Sequence, residues 1–433
     1  MRRALLALLF ASTAMSAPAQ VAPDTARATT TRLLDHLDRG EFAAAEAMFD
    51  DAMRQAVPQA MLAQIWKALP KASARGDVRL KTDGATRITL TPLKRGEAHF
   101  DATISIAADG RVSGLLVRPA QPATPAPPVP ADATYTERET KVGSGERALP
   151  ATLAMPQGAG PFPAVVLVHG SGPQDRDETI GPNKPFLDIA RGLAAQGIAV
   201  LRYDKRTLAR PRDYADGRID IDGETTDDAL AAVATLRATP GIDPGRVFVL
   251  GHSQGGMMAP RIGIREPRIA GLILLAAPAR NLLDILLEQN DRLLKMRGAR
   301  ESEAGIAHMR RLESQIAAIR AGGAAEETGT PLDQPAGYWR SVEKVDPVAE
   351  ARKARQPMLL LHGGRDIQVV EADWRRWQAA FGKDGRATLK HYPTLNHLGM
   401  ESTENAGLER YRQPGHVDRR LIDDVAQWIK ARR

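Results

Sequence analysis

The sequence predicts a small α+β unit followed by a larger, doubly wound α/β domain with a mostly parallel sheet flanked by helices. Three observations lead there. At 433 residues the chain is too long for one ordinary domain. Residues 119–134 are so rich in proline that neither helix nor central strand can form, and they offer almost nothing to bury. After that linker, short continuous apolar runs alternate with amphipathic stretches, the pattern of strands buried on both faces and helices that cover them.

The N-terminus opens with Arg2 and Arg3, continues through the apolar run 4–11 and ends in Ala17-Pro18-Ala19. This is the order of a cleavable secretory signal over residues 1–19, and it predicts a periplasmic or secreted protein. The run is too short to span a bilayer, and no later stretch approaches the ~18 apolar residues a spanning helix needs. With no cysteine, neither a disulfide framework nor a thiol lipid anchor is available. The net charge is +7, or +5 without Arg2 and Arg3, and no block of five basic residues occurs, so nucleic acid is not the expected partner. Hydrophobic residues make up 43 % of the chain, enough for a sizeable aliphatic core and too many for general disorder.

The small unit is expected over residues 24–118. Leu33, Leu34 and Leu37, then Phe42, Met48 and Phe49, then Met61, Leu62, Ile65, Trp66 and Leu69 follow helical spacing, with Pro58 and Pro70 at helix edges. Phe100, Ala102, Ile104 and Ile106 then alternate with polar residues, and Asp109-Gly110 signals a hairpin turn. Helices followed by such strands, together with Gly40-Glu41-Phe42 and Val112-Ser113-Gly114-Leu115, resemble the NTF2-like domains that precede some secreted bacterial hydrolases.

In the large unit, 135–433, buried strands are expected at 164–168, 198–203, 246–250, 272–277, 358–361 and 387–392. Helices are expected at 185–196, 227–237, 257–264, 372–381 and 418–430. The segment 281–345 breaks the alternation: Leu282, Leu283, Leu286, Leu287 and Leu294, and then Ile306, Met309, Leu312, Ile316 and Ile319, form helical stripes with no strand between them. A helical insertion there would lie over the carboxyl ends of the strands, as a lid on the edge where open α/β sheets bind ligands.

Gly251-His252-Ser253-Gln254-Gly255 matches G-x-S-x-G between a predicted strand and a predicted helix. That context calls for a sharp turn with Ser253 as nucleophile, and glycines on either side where backbones crowd. A serine hydroxyl needs a basic imidazole, and the imidazole needs a carboxylate to hold its tautomer. Of the later histidines, His308 falls in the insertion, His362 directly follows a strand, His391 lies within one and His416 begins the last helix. His397 occupies the loop after the final strand and is the expected base, with His391 as fallback. Asp366, delivered by the turn Gly363-Gly364-Arg365, is the expected acid; Glu371, Asp373 and Asp284 are rivals. The backbone N–H groups of Gln254 and Ser171, with Gly172 second, are the expected oxyanion donors, and His169 is read as a structural tie.

These motifs, His169-Gly170-Ser171-Gly172, Gly-His-Ser-Gln-Gly, Gly-Gly-Arg-Asp and Leu-Asn-His, resemble the α/β-hydrolases over residues 136–433. Residues 170–177, 181–186 and 201–206 are similar to a branch of bacterial carboxylesterases, which implies short acyl esters as substrates and an N-terminal accessory domain. Asp175, Arg176 and Asp177 are read as an ion-pair network beside the oxyanion loop, with substrate contact by Arg176 as the lesser alternative. Absence of H-E-x-x-H, cysteine and a phosphate-binding glycine loop predicts no metal and no cofactor. The expected function is therefore hydrolysis of small carboxylic esters of short to medium acyl chain through an acyl-enzyme. A peptidase or thioesterase using the same triad, and more remotely a non-catalytic binding module, are the alternatives, and a homo-oligomer stays open.

Overall fold

The computed structural model describes residues 21–83, 86–119, 126–214, 218–322, 330–403 and 406–432. The expected signal at 1–19 and most of the proline-rich segment's first half, 120–125, lie outside them. The chain divides into two compact units, residues 1–123 and 124–433.

In the first unit four helices, α1 (Pro23–Arg39), α2 (Phe42–Ala47), α3 (Asp51–Ala56) and α4 (Gln59–Ala68), precede five strands. These are β1 (Ala72–Arg75), β2 (Arg79–Asp83), β3 (Thr86–Arg95), β4 (Ala98–Ile106) and β5 (Val112–Pro119). They form an antiparallel sheet in the order β1-β3-β4-β5, with β2 paired to β3. The apolar positions of the alternating strand, Ala102, Ile104 and Ile106, meet Leu33, Leu34, Leu37 and Phe49 in one core. Gly40 ends α1 at φ 75°, and its neighbour's N–H reaches back to the His36 carbonyl, the left-handed cap that glycine adopts without strain.

The second unit begins with a hairpin, β6 (Tyr135–Val142) and β7 (Leu149–Pro156), whose first strand is polar or charged from Thr136 to Lys141 and escapes a search for continuous apolar runs. The sheet continues with β8 (Phe162–Val168), helix α5 (Pro185–Ala194), β9 (Ala199–Tyr203), the short helix α6 (Arg206–Ala209), a π-helical turn at Asp222–Thr226 and α7 (Asp227–Arg237). Then come β10 (Ile242–His252), α8 (Gln254–Arg265) and β11 (Gly271–Leu275). Helices α9 (Leu282–Met296), α10 (Glu303–Arg320) and α11 (Ala336–Glu343) make the insertion, of which 323–329 lie outside the described residues. The chain closes with α12 (Pro347–Lys353), β12 (Met358–Gly363), α13 (Glu371–Phe381), β13 (Ala387–Tyr392) and α14 (Arg419–Lys430).

The eight strands lie in the order β13-β12-β11-β10-β8-β9-β7-β6, parallel from β13 to β9 and antiparallel at β7 and β6. Strands β8, β11 and β12 are buried almost throughout, and β10 from Val247 onward, so their aliphatic side chains pack on both faces of the sheet. One layer is completed by α7, α8, α12 and α13, the other by α5 and α14. At about 2 kcal/mol per fully buried Leu, Ile or Val, these strands supply the main driving force of the unit. The chain leaves β8 to one side as β9 and returns on its other side as β10, so the strand order reverses between β8 and β10. Open α/β sheets bind ligands at the carboxyl ends of the strands flanking such a reversal. Among the described residues, no helix is long and apolar enough to cross a membrane.

Candidate active site

At the end of β10 the chain turns straight into α8, and Ser253 sits at the corner with φ 53° and ψ −119°. A serine in the left-handed region is strained, and the turn is held because the Ser253 N–H donates to the Leu275 carbonyl at 2.9 Å. The flanking glycines answer to crowding. A Cβ on Gly255 would run into the Val168 and His169 carbonyls, and one on Gly251 into the carbonyl of Gly255. The loop that follows β8 is thereby pressed against the start of α8. Its residue Ser171 and the first helical residue, Gln254, carry the two expected oxyanion donors, and among the described residues neither N–H has a backbone acceptor.

His397 and Asp366 meet as expected. Nδ1 of His397 donates to Oδ2 of Asp366 at 2.7 Å, and both side chains are buried. The other carboxylate oxygen accepts the N–H groups of Gln368 and Val369 at 2.8 and 2.9 Å, which fixes the carboxylate plane. Burial pushes the Asp366 carboxyl up, but the charge and hydrogen bond of His397 outweigh it and leave the group below the ordinary carboxylate value. The two glycines before Asp366 are again a matter of space, since side chains at Gly363 and Gly364 would collide with the carbonyls of Leu395 and Pro393. Asn396 braces the same loop by accepting the N–H groups of Leu398 and Met400.

The rival groups are otherwise engaged. Asp373 is fully buried, takes the Ala279 N–H at 2.9 Å and pairs with Arg280. Asp284 pairs with Arg320, and the insertion's Glu288 and Asp291 pair with Arg280, Arg292, Lys295 and Arg300. His391 faces Glu371 rather than Asp366, and His308 bonds Asn290 within the insertion. Arg176 is held by Asp204, Glu139 and Thr152, and Asp177 by Arg202 and Lys184, as expected of an ion-pair network, whereas the Asp175 carboxylate accepts from the Asp177 N–H and from the N–H and hydroxyl of Thr179 instead. His169 donates from Nε2 to the Asp175 carbonyl at 3.0 Å, and burial pushes its pKa down to about 4, so it is a neutral tie.

A buried polar network behind these residues was not legible in the sequence. Glu178, itself at φ 51°, accepts the Gly170 N–H at 2.7 Å and forms an ion pair with His252 Nδ1 at 2.9 Å. The Gly170 carbonyl accepts from Lys205 at 2.8 Å, and Lys205 pairs with Glu224 at 2.9 Å. Glu224 in turn accepts from the Gln254 side chain at 2.7 Å and from Tyr338 of α11 at 2.9 Å. The peptide before the oxyanion loop is thus clamped at both ends by charge, and the elbow is joined to the insertion. Burial pushes the Glu178 carboxyl up and the His252 imidazole down, but each charge overrides this for the other, leaving Glu178 below and His252 above their ordinary values. The insertion also packs on the elbow helix, where Met257 and Met258 meet Leu283, Leu312, Ile316 and Tyr338.

The chain is 34 % identical over 403 residues to Esterase EstD of Thermotoga maritima, covering 92 % of this chain and 93 % of that protein. It is 23 % identical over 281 residues to "Uncharacterized peptidase YtmA" of Bacillus subtilis, covering 65 % of this chain and 88 % of that one. The solved structure of Est1E from Butyrivibrio proteoclasticus matches 68 % of this chain and 99 % of its own, with 16 % identity and a TM-score of 0.43. Residues 161–403 match the family described as Serine aminopeptidase, S33, and with the relative that spans nearly the whole chain this establishes that the protein belongs to that family of α/β-hydrolases.

Proposed function

We propose that the protein is a carboxylesterase that cleaves esters of short to medium acyl chain through an acyl-enzyme on Ser253. The observation that carries the reading is the buried His397–Asp366 pair, in which the His397 backbone carbonyl accepts from His252, the neighbour of the strained Ser253. His397, with its Nδ1 proton committed to Asp366, offers Nε2 as the base. It takes the hydroxyl proton as Ser253 Oγ bonds the ester carbonyl carbon, and the carbonyl oxygen becomes an oxyanion facing the N–H groups of Ser171 and Gln254. The C–O bond to the alcohol then breaks, and His397 returns the proton to the departing alkoxide. Water, deprotonated by the same imidazole, attacks the acyl-enzyme and releases the acid. No step needs a cofactor.

Similarity to an esterase over nearly its whole length favours an ester over an amide substrate. A trimming peptidase needs free carboxylates to hold a substrate amine; of the insertion's Glu288, Asp291 and Glu301, the first two are already paired with arginine or lysine, while Glu301 lies exposed at the surface, 4.0 Å from Arg300. The export signal read at residues 1–19 extends the proposal to substrates outside the cytoplasm. Hydrolysis of a chain-length series of p-nitrophenyl esters, beside an aminoacyl p-nitroanilide, tests the reading. Ester turnover that falls with chain length is expected; anilide cleavage without ester preference would replace it by a peptidase.

A further inference from the structure

Three side chains that the ester chemistry does not use converge at the β12–β13 edge of the sheet. His362 and His391 are the penultimate residues of their strands and are direct partners in the parallel register, so their rings stand side by side with centroids 5.8 Å apart. Glu371, the first residue of α13, brings a carboxylate oxygen to 3.5 Å from Nε2 of His391. One ligand atom from each of the three lies within 4.8 Å of the other two. His362 is only 3 % exposed, and its ring is held by stacking on Trp374 at 5.5 Å.

We propose that His362, His391 and Glu371 form a binding site for a divalent transition-metal ion of the zinc class. Two imidazole nitrogens and one carboxylate oxygen are the donors such an ion prefers, at about 2.0–2.2 Å each, with a fourth position left for water. His362 is the fixed ligand: it is buried and stacks on Trp374, with ring planes 6° apart. His391 and Glu371 are the adjustable ones, both lying at the surface, so closing from the present separation to a coordination sphere needs only side-chain rotation. The ion would tie β12, β13 and α13 together at the roots of two loops. Asp366 follows His362 by four residues, and His397 follows His391 by six, so the clasp would stiffen both segments that carry the acid and the base. This inference does not depend on the ester reading.

The test uses the full chain after chelator treatment and dialysis, titrated with Zn²⁺ by calorimetry and with Co²⁺ by visible absorption. His391→Ala and Glu371→Gln alter exposed residues, and far-UV circular dichroism checks that both fold. The expected result is one site in the parent chain, a Co²⁺ band of low-coordinate intensity, at least about 100-fold weaker binding in His391→Ala and at least about 10-fold weaker in Glu371→Gln. The proposal is overturned by absence of binding to the parent chain, or by equal affinity in His391→Ala, which would move the ion to a surface pair such as His36–Glu41 or His416–Asp188.

Discussion

His252 donates from Nε2 to the backbone carbonyl of His397 at 2.8 Å, and the two rings lie 4.7 Å apart. The residue before the nucleophile therefore holds the loop of the base, and any loosening of His252 is passed directly to the His397–Asp366 pair. The other side of His252 faces Glu178, which also grips the Gly170 N–H, so one carboxylate serves both the base loop and the oxyanion loop.

Glu178→Gln keeps the shape and a carbonyl for Gly170 but removes the charge opposite His252. Breaking one side of a buried pair costs about 3–5 kcal/mol. We expect urea unfolding to shift by about that amount, with kcat reduced roughly 10-fold and KM changed less than about twofold. The pair also sets a pH window. Glu178 is below its ordinary value, so its contribution is present above about pH 4.5 and fades as pH falls through the folded value. His252 is above its ordinary value, so its contribution is complete below about pH 6.5 and fades as pH rises through the folded value. In Glu178→Gln this protection at mid pH should disappear.

Asp366→Asn preserves the space but no longer fixes the His397 tautomer or stabilises the imidazolium. A loss of about 10³–10⁴ in kcat for p-nitrophenyl acetate is expected, with a folded circular dichroism spectrum. Retention of more than a tenth of the parent rate would show that another carboxylate does the work.

Gly255→Ala would drive a Cβ into the carbonyls of Val168 and His169, which are backbone and cannot swing aside. We expect a melting temperature lower by several degrees at least and esterase activity close to that of Ser253→Ala, because the oxyanion loop must move. An active and equally stable variant would mean that the elbow is looser than these contacts require.

His169 is buried and neutral, with a folded pKa of about 4 against 6.5 for the free side chain. The unfolded chain binds this proton below pH 6.5 and the folded chain only near 4, so unfolding takes up a proton in that window and stability falls as pH falls. From this group alone the loss between pH 6.5 and 4 is about 3 kcal/mol. In His169→Gln the slope of stability against pH over 4.5–6.5 should flatten by about one proton; an unchanged slope would mean that His169 is charged in the fold.

The proposed triad was readable because each member sits at a strand end announced by its own sequence signal. Ser253 lies between glycines after an apolar run, Asp366 follows Gly363-Gly364, and His397 occupies the loop after the last strand. The parallel strands were readable for the same reason, as burial on both faces leaves a continuous apolar run. The hairpin β6–β7 was not, because Thr136, Glu137, Arg138 and Glu139 make an edge strand look like solvent-exposed chain. Glu178, Lys205, Glu224 and Tyr338 were equally hidden. They lie far apart in sequence, and a charged residue shows nothing in its own neighbourhood to say that it will be buried against a partner. The pairing of His362 with His391 depends on strand register, which two separate apolar runs do not specify.

The assignment of Ser253 as nucleophile is tested most directly by trapping. The protein is treated with a fluorophosphonate, its intact mass is measured, and the modified peptide is sequenced by mass spectrometry. One phosphonyl adduct per chain on the peptide carrying Ser253, with parallel loss of p-nitrophenyl ester turnover and no adduct in Ser253→Ala, is the expected result. An adduct on another residue, or full ester turnover with Ser253 unmodified, would contradict it.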